Sequence, residues 1–241
     1  MSSPVYYKVL SRDGRAFHGG TGSWGLPNGE PGAWKTVKGR LVPCVLGLHV
    51  CTRDQLVHWL GPAIFTVEVD DELINAGDKT IVRKARLLGR CDNWTDRTAR
   101  LFAADCAERA LRRVQKRTGV KTDPRSLAAV RAAREFAAGN ISAGELSAAR
   151  AAAWATAGAA AGAAAAAAAA DAAAVAAWAA ACAADAAADA DAVADAVAAW
   201  AAVADADAAG AADAAAVRAA ERRWQTRRLF EYIDGKRGRQ A

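Results

Sequence analysis

Four side chains of the types that hold transition metals fall close together: Cys44, His49, Cys51 and His58. Thiolate and imidazole are zinc's preferred ligands, and His49 and Cys51, two residues apart, would share one face of a strand. The spacing C-x4-H-x-C-x6-H matches no zinc finger or ribbon, so a buried strand is the preferred reading and neither a metal nor another cofactor is expected. Upstream lies a glycine-rich loop, His18-Gly19-Gly20-Thr21-Gly22-Ser23-Trp24. Repeated glycines free backbone N–H groups to point at an anion, which makes His18, Gly19, Gly20, Thr21, Gly22 and Trp24 a candidate ligand-binding set. The loop is neither a Walker loop nor a dinucleotide fingerprint and opens no helix. The competing reading is a surface loop with Trp24 and Trp34 folded over a sheet. Basic residues cluster later, Arg109, Arg112, Arg113, Lys116 and Arg117 in one segment and Arg222, Arg223, Arg227 and Arg228 in another. Such runs contact phosphate backbones, but more often they are solvated helix faces. No Ser-His-Asp order or paired carboxylates stand out.

These residues need elements to position them. Tyr6-Tyr7-Lys8-Val9-Leu10 reads as a strand, with Asp13-Gly14 as a tight turn toward Arg15-Ala16-Phe17. Trp34 to Val42 and Leu46 to Cys51 read as further strands, and Asp54 to Leu60 as a short helix capped by Thr52. Ile64 to Val69 alternates as a half-buried strand should, and Ala76-Gly77-Asp78-Lys79 turns the chain into a last strand, Ile81 to Leu88. From Trp94 the period becomes helical. A helix runs to Thr118, with Phe102, Cys106, Ala110 and Val114 on one face and Gly119 beyond its end. Asp123-Pro124 pairs an N-cap with proline at the first helical position, Gly139 ends that helix, and Ser142-Ala143-Gly144-Glu145 is a capping box.

Residues 151–217 include 46 alanines and eight Asp, with no Lys, Arg or Glu before Arg218. Alanine is the best helix former, so helix is expected throughout, though each methyl buries little area. Trp154, Trp178, Trp200 and Trp224 recur at 24, 22 and 24 residues, the mark of a degenerate repeat with one bulky anchor per helix plus turn. Trp178 and Trp200 are therefore expected to anchor packed helices. The overall charge is +6, so the rest of the chain is strongly basic beside this acidic tract. Pairing between the two, within the chain or in a homo-oligomer, is preferred over nucleic-acid binding. Asp171 interrupts the apolar run short of the ~20 residues a spanning helix needs, no secretion signal is visible, and five scattered cysteines form no disulfide framework. A cytoplasmic protein without membrane contact is the expectation.

The stretch carrying Tyr7-Lys8-Val9-Leu10, His18-Gly19-Gly20-Thr21-Gly22, Pro43-Cys44, Gly47-Leu48-His49-Val50-Cys51, Trp59-Leu60-Gly61-Pro62 and Gly77-Asp78-Lys79 resembles an uncharacterised module of actinobacterial and phage proteins. Ala104 to Arg134, and the ending Trp224-Gln225-Thr226-Arg227-Arg228-Leu229-Phe230, resemble alanine-rich helical proteins labelled as immunity proteins in bacterial toxin loci; those often place Arg among the alanines where this chain has Asp. The order of strand, His-Gly-Gly-Thr, Gly-Leu-His-Val-Cys-Thr and Phe-Thr-Val-Glu-Val is also similar to ADP-ribosyltransferase-like folds. That resemblance implies a dinucleotide held by His18 and an oxocarbenium ion stabilised by Glu68 or Glu72, with Gly20 standing where the motif has threonine.

The chain is thus expected to be α+β, a small β-rich module over residues 1–92 followed by an alanine-rich antiparallel helical array over 93–241. The expected function is macromolecular interaction: an adaptor, inhibitor or immunity-type binder of a protein partner, of phage or mobile-element origin. An NAD-using transferase and a basic nucleic-acid binder are the alternatives.

Overall fold

The computed structural model describes residues 5–163 and 214–238, in two compact units, 1–95 and 96–241. The chain is α+β: an antiparallel sheet in the first unit and helices in the second.

Five strands form the sheet: β1 (Tyr6–Leu10), β2 (Lys35–Thr36), β3 (Leu48–Val50), β4 (Ala63–Asn75) and β5 (Thr80–Arg90). β4 and β5 form a long hairpin with register shifts at Thr66/Val67 and at Asp70/Leu73. Each such irregularity adds local twist, which curls the hairpin. β1 lies along one edge of β4, Tyr6 opposite Val67 and Leu10 opposite Ala63, while β3 and β2 share the far edge of β5. Just after β3, Cys51 returns to β1: Tyr7 and Cys51 exchange both backbone hydrogen bonds at 2.8 Å. The pairings β1-β4-β5-β3-β1 therefore close into a ring.

Ring closure gives the sheet an inside. Tyr6 and Leu10, Phe65 and Val67, Val82, Ala85 and Leu87, Val50 and Trp24 form one buried cluster. The opposite face is also covered. Tyr7, Val9, Leu56, Leu60, Ile64, Ile81 and Trp94 are buried, and the Trp94 indole N–H donates to the carbonyl of Gly61 at 2.9 Å. Apart from Lys8, both faces of β1 are thus apolar, which explains its run of large residues.

The sequence expectations differ from the structure in three places here. Trp34 to Val42 is extended only at Lys35–Thr36, because Gly39 at φ 99° and the Val42–Leu46 turn divert the chain. Asp54 to Leu60 contains only a single 3-10 turn, Leu56–His58. Its entry is organised by Gln55, whose Oε1 accepts from Thr52 N at 2.9 Å and from the Thr80 hydroxyl at 2.9 Å, rather than by a Thr52 side-chain cap.

In the second unit, α1 (Asp96–Thr118), α2 (Pro124–Ala138), α3 (Ala143–Ala163) and α4 (Ala214–Ile233) are described. Asp123 accepts from Arg125 N, and Gly139 takes the left-handed conformation that ends α2. Ser142 and Glu145 bond reciprocally, Ser142 N to Glu145 Oε2 at 2.8 Å and Glu145 N to Ser142 Oγ at 3.2 Å. α1 packs on α2, α2 on α3 and α1 on α4, around Phe102, Cys106, Ala110, Val130, Ala133, Leu229 and Phe230. Trp178 and Trp200, with most of the tract and its acidic residues, lie outside the described residues.

Candidate functional site: a cationic pocket in the sheet module

The N-terminal unit holds a cavity of about 360 Å³ between β1, the glycine-rich loop and the segment from Cys44 to Cys51. Three ammonium groups, Lys8, Lys35 and Lys79, two imidazoles, His18 and His49, and the rings of Tyr7, Phe17, Trp24 and Trp59 line it. None of the described residues lining it is Asp or Glu.

Lys8 is the least expected member. By strand alternation it shares the inner face with Tyr6 and Leu10, and it sits opposite Phe65. Its ammonium group donates to the His49 carbonyl at 2.8 Å and lies 5.5 Å from the Trp24 ring centre. Lys35 lies 5.4 Å from the same ring and donates to the Ser23 carbonyl. Burial, with repulsion from Lys35, lowers the Lys8 pKa from 10.5 to about 8, although Cys51 works the other way. The His49 pKa is also lowered, first by desolvation and then by Lys8 and Lys79, which favours a neutral ring.

His18 enters the cavity from a left-handed backbone conformation, φ 58°, which side chains other than glycine seldom adopt. Its ring is edge-on to Phe17 at 4.7 Å and to Trp59 at 5.4 Å. Nε2 lies 2.9 Å from the Leu60 carbonyl. A carbonyl only accepts, so Nε2 carries the proton and Nδ1 is left for a further hydrogen bond. Trp59 is fixed by its N–H to the Asp78 carbonyl at 2.8 Å, with Lys79 4.8 Å from its ring centre.

The pocket gathers many of the residues named from sequence, though not all. His18, Gly19, Gly20, Thr21 and Trp24 line it, while Gly22 contributes a carbonyl that accepts from Ala16 N at 2.9 Å. Trp24 is buried against the strand residues beneath the site, whereas Trp34 is exposed. Cys44, His49 and Cys51 line the cavity and His58 does not; Cys44 is exposed and Cys51 buried. Among the described residues no three metal-ligating side chains come together. Glu68 and Glu72 lie outside the lining, Glu68 bonded to Arg86 Nε at 2.6 Å and Glu72 to Arg83 across the hairpin.

Lys8, Lys35, Lys79 and Trp59 were not among the sequence candidates. The signal that could have found Lys8 was its place in Tyr6-Tyr7-Lys8-Val9-Leu10, a lone charge in a strand whose other residues are all large and apolar.

The basic segments of the helical unit are largely matched internally. Arg109 bonds Glu221 at 2.7 Å and covers Trp224 at 4.4 Å. Arg134 bridges Asp105 at 2.9 Å and Glu108 at 2.5 Å, and Arg228 reaches Asp105 at 3.4 Å and Glu231 at 2.8 Å. Arg222 bonds Gln225 at 3.2 Å, and Arg223 and Arg227 are exposed. Among the described residues no helix is long and apolar enough to cross a membrane.

No protein-family model, curated protein or solved structure significantly matches the chain.

Proposed function

We propose that the chain is a binding protein whose N-terminal module recognises an anionic group, phosphate above all, attached to a body that packs on aromatic rings. One observation carries this reading: three lysines and two histidines line one cavity with no carboxylate among the described lining residues. Like charges are costly to gather in a partly desolvated space, and a bound anion relieves that cost. The glycine-rich loop beside them suits close approach of a ligand to the backbone.

Binding without turnover accounts for the carboxylates better than the transferase reading does. His18 is in the pocket wall, but Glu68 and Glu72 are engaged with Arg86 and Arg83 away from the lining. For the helical unit, the pairing of Arg109, Arg134 and Arg228 with carboxylates supports a protein partner over a nucleic acid.

Titration of the full chain with pyrophosphate, followed by tryptophan fluorescence, tests the pocket, since Trp24 and Trp59 line it. Saturable binding is expected. Lys79→Ala should weaken it roughly tenfold, the worth of one charge-assisted contact. A titration without saturation, or one indifferent to Lys79→Ala and Lys35→Ala alike, rejects the reading. Glu68-dependent cleavage of NAD by the same preparation would promote the transferase instead.

A further inference from the structure

Lys8 does something a plain anion-binding lysine need not do. All three pocket lysines hold Nζ over an aromatic ring, Lys8 and Lys35 over Trp24 and Lys79 over Trp59, but Lys8 alone is rooted on the inner face of β1, opposite Phe65 and between Tyr6 and Leu10. Its amine is held at one point, the His49 carbonyl, and at the pocket wall. The titratable groups around it are Lys35, His49 and Cys51, with His18 and Lys79 also on the lining; none is a carboxylate that would pin a proton on the amine. We propose that Lys8 is a reactive amine that captures the carbonyl carbon of a phosphorylated aldehyde or ketone as an imine, the phosphate being received by the other cations of the pocket. This rests on the anion-binding reading above.

The chemistry closes without an external oxidant or reductant. The neutral Lys8 Nζ attacks the carbonyl carbon, and the C=O π electrons move to oxygen to give a carbinolamine after proton transfer from nitrogen. Loss of the hydroxyl as water, with the second nitrogen proton, leaves C=N. The reverse steps release the carbonyl compound unchanged, so capture is reversible. A pKa near 8 instead of 10.5 supplies about 300-fold more neutral amine at a pH well below both values. The His49 carbonyl can hold one N–H of the neutral amine and so aim its lone pair.

Pyridoxal 5′-phosphate serves as the probe and pyridoxal, which lacks the phosphate, as its control. The full chain is incubated with either at pH 7.5 and treated with borohydride, which fixes an imine as a secondary amine but leaves no lasting adduct on Cys51. Peptide mass spectrometry then locates the label. Lys8 is expected to carry at least tenfold more label than the exposed Lys38, Lys116 or Lys121, to lose most of it when pyridoxal replaces the phosphate ester, and to be protected by pyrophosphate. Lys8→Arg should remove that label while leaving the labelling of Lys38, Lys116 and Lys121 unchanged. Equal labelling of the surface lysines, or equal labelling by pyridoxal, overturns the proposal. If pyrophosphate binds yet Lys8 stays unlabelled, the imine falls and the anion site stands. If pyrophosphate does not bind and labelling is unselective, both fall.

Discussion

A lysine amine on the inner face of a sheet calls for a hydrogen-bond partner or a lowered pKa, and Lys8 has both. Its lowered pKa has a definite consequence for stability. Between pH 8 and 10.5 the unfolded chain holds the Lys8 proton more tightly than the folded one, so the unfolded state binds more protons and stability rises with pH. The penalty is fully present below pH 8 and is relieved as pH climbs through that window. Urea midpoints at pH 7.5 and 9.5 should therefore rise more in the wild type than in Lys8→Met. The difference between the two proteins isolates Lys8 from other groups, such as Tyr232, whose phenol is raised by burial and by the neighbouring Asp105. Identical pH slopes would place the amine in water. At this scale the site was half legible. The glycines and His18 announced a loop suited to an anion, because backbone freedom is written in residue type. Lys35 and Lys79 were silent, since their convergence depends on how the Cys44–Cys51 segment folds back, and no spacing encodes that.

Elements were read best where a local rule decides them. Asp123-Pro124, Gly139 and the Ser142–Glu145 box set the ends of α2 and the start of α3 by contacts between near neighbours, and the structure has them. Asp123→Ala should cost about 1 kcal/mol, measured by thermal or urea unfolding of the second unit, and no loss would mean that Arg125 N finds another acceptor. The segment from Trp34 to Val42 was misread because its β-prone residues are interrupted by glycine and lack a continuous partner: β5 gives its far edge to β2 at Ala85 and Lys84 and to β3 further along. The turn after Trp59 depends on a tight approach that composition does not reveal. A Cβ at Gly61 would lie 2.7 Å from Val9 Cγ1 and 2.8 Å from Phe17 Cδ1. Gly61→Ala should cost about 1–3 kcal/mol by overpacking and disturb His18 through Phe17. An unchanged midpoint with unchanged pyrophosphate affinity would show that Val9 and Phe17 shift freely.

For the molecule as a whole, net charge is a poor guide to its partner. The chain carries +6, yet Arg109, Arg112 and Arg228 of α1 and α4 face Glu221, Glu108, Asp105 and Glu231 within the helical unit. Duplex DNA in an anisotropy titration should bind no more tightly than about 10⁻⁶ M at physiological salt, the ordinary non-specific range. Tighter binding that falls steeply with salt and with Arg223→Ala plus Arg227→Ala would restore the nucleic-acid reading. The alanine tract makes its own demand: a circular dichroism spectrum above half helix requires residues 164–213 to follow their propensity. The ring of strands, finally, has a history during synthesis. β1 is synthesised well before its main partners, Cys51 and residues 63–67, and β4 in turn waits for β5. At roughly 5–20 residues per second the nascent Tyr6–Leu10 strand spends several seconds with no partner beyond the local Leu10–Ala16 bridge. Translation speed over codons 11 to 90 then becomes part of how safely this module is made, since a pause there prolongs the interval in which an apolar strand is open to other chains.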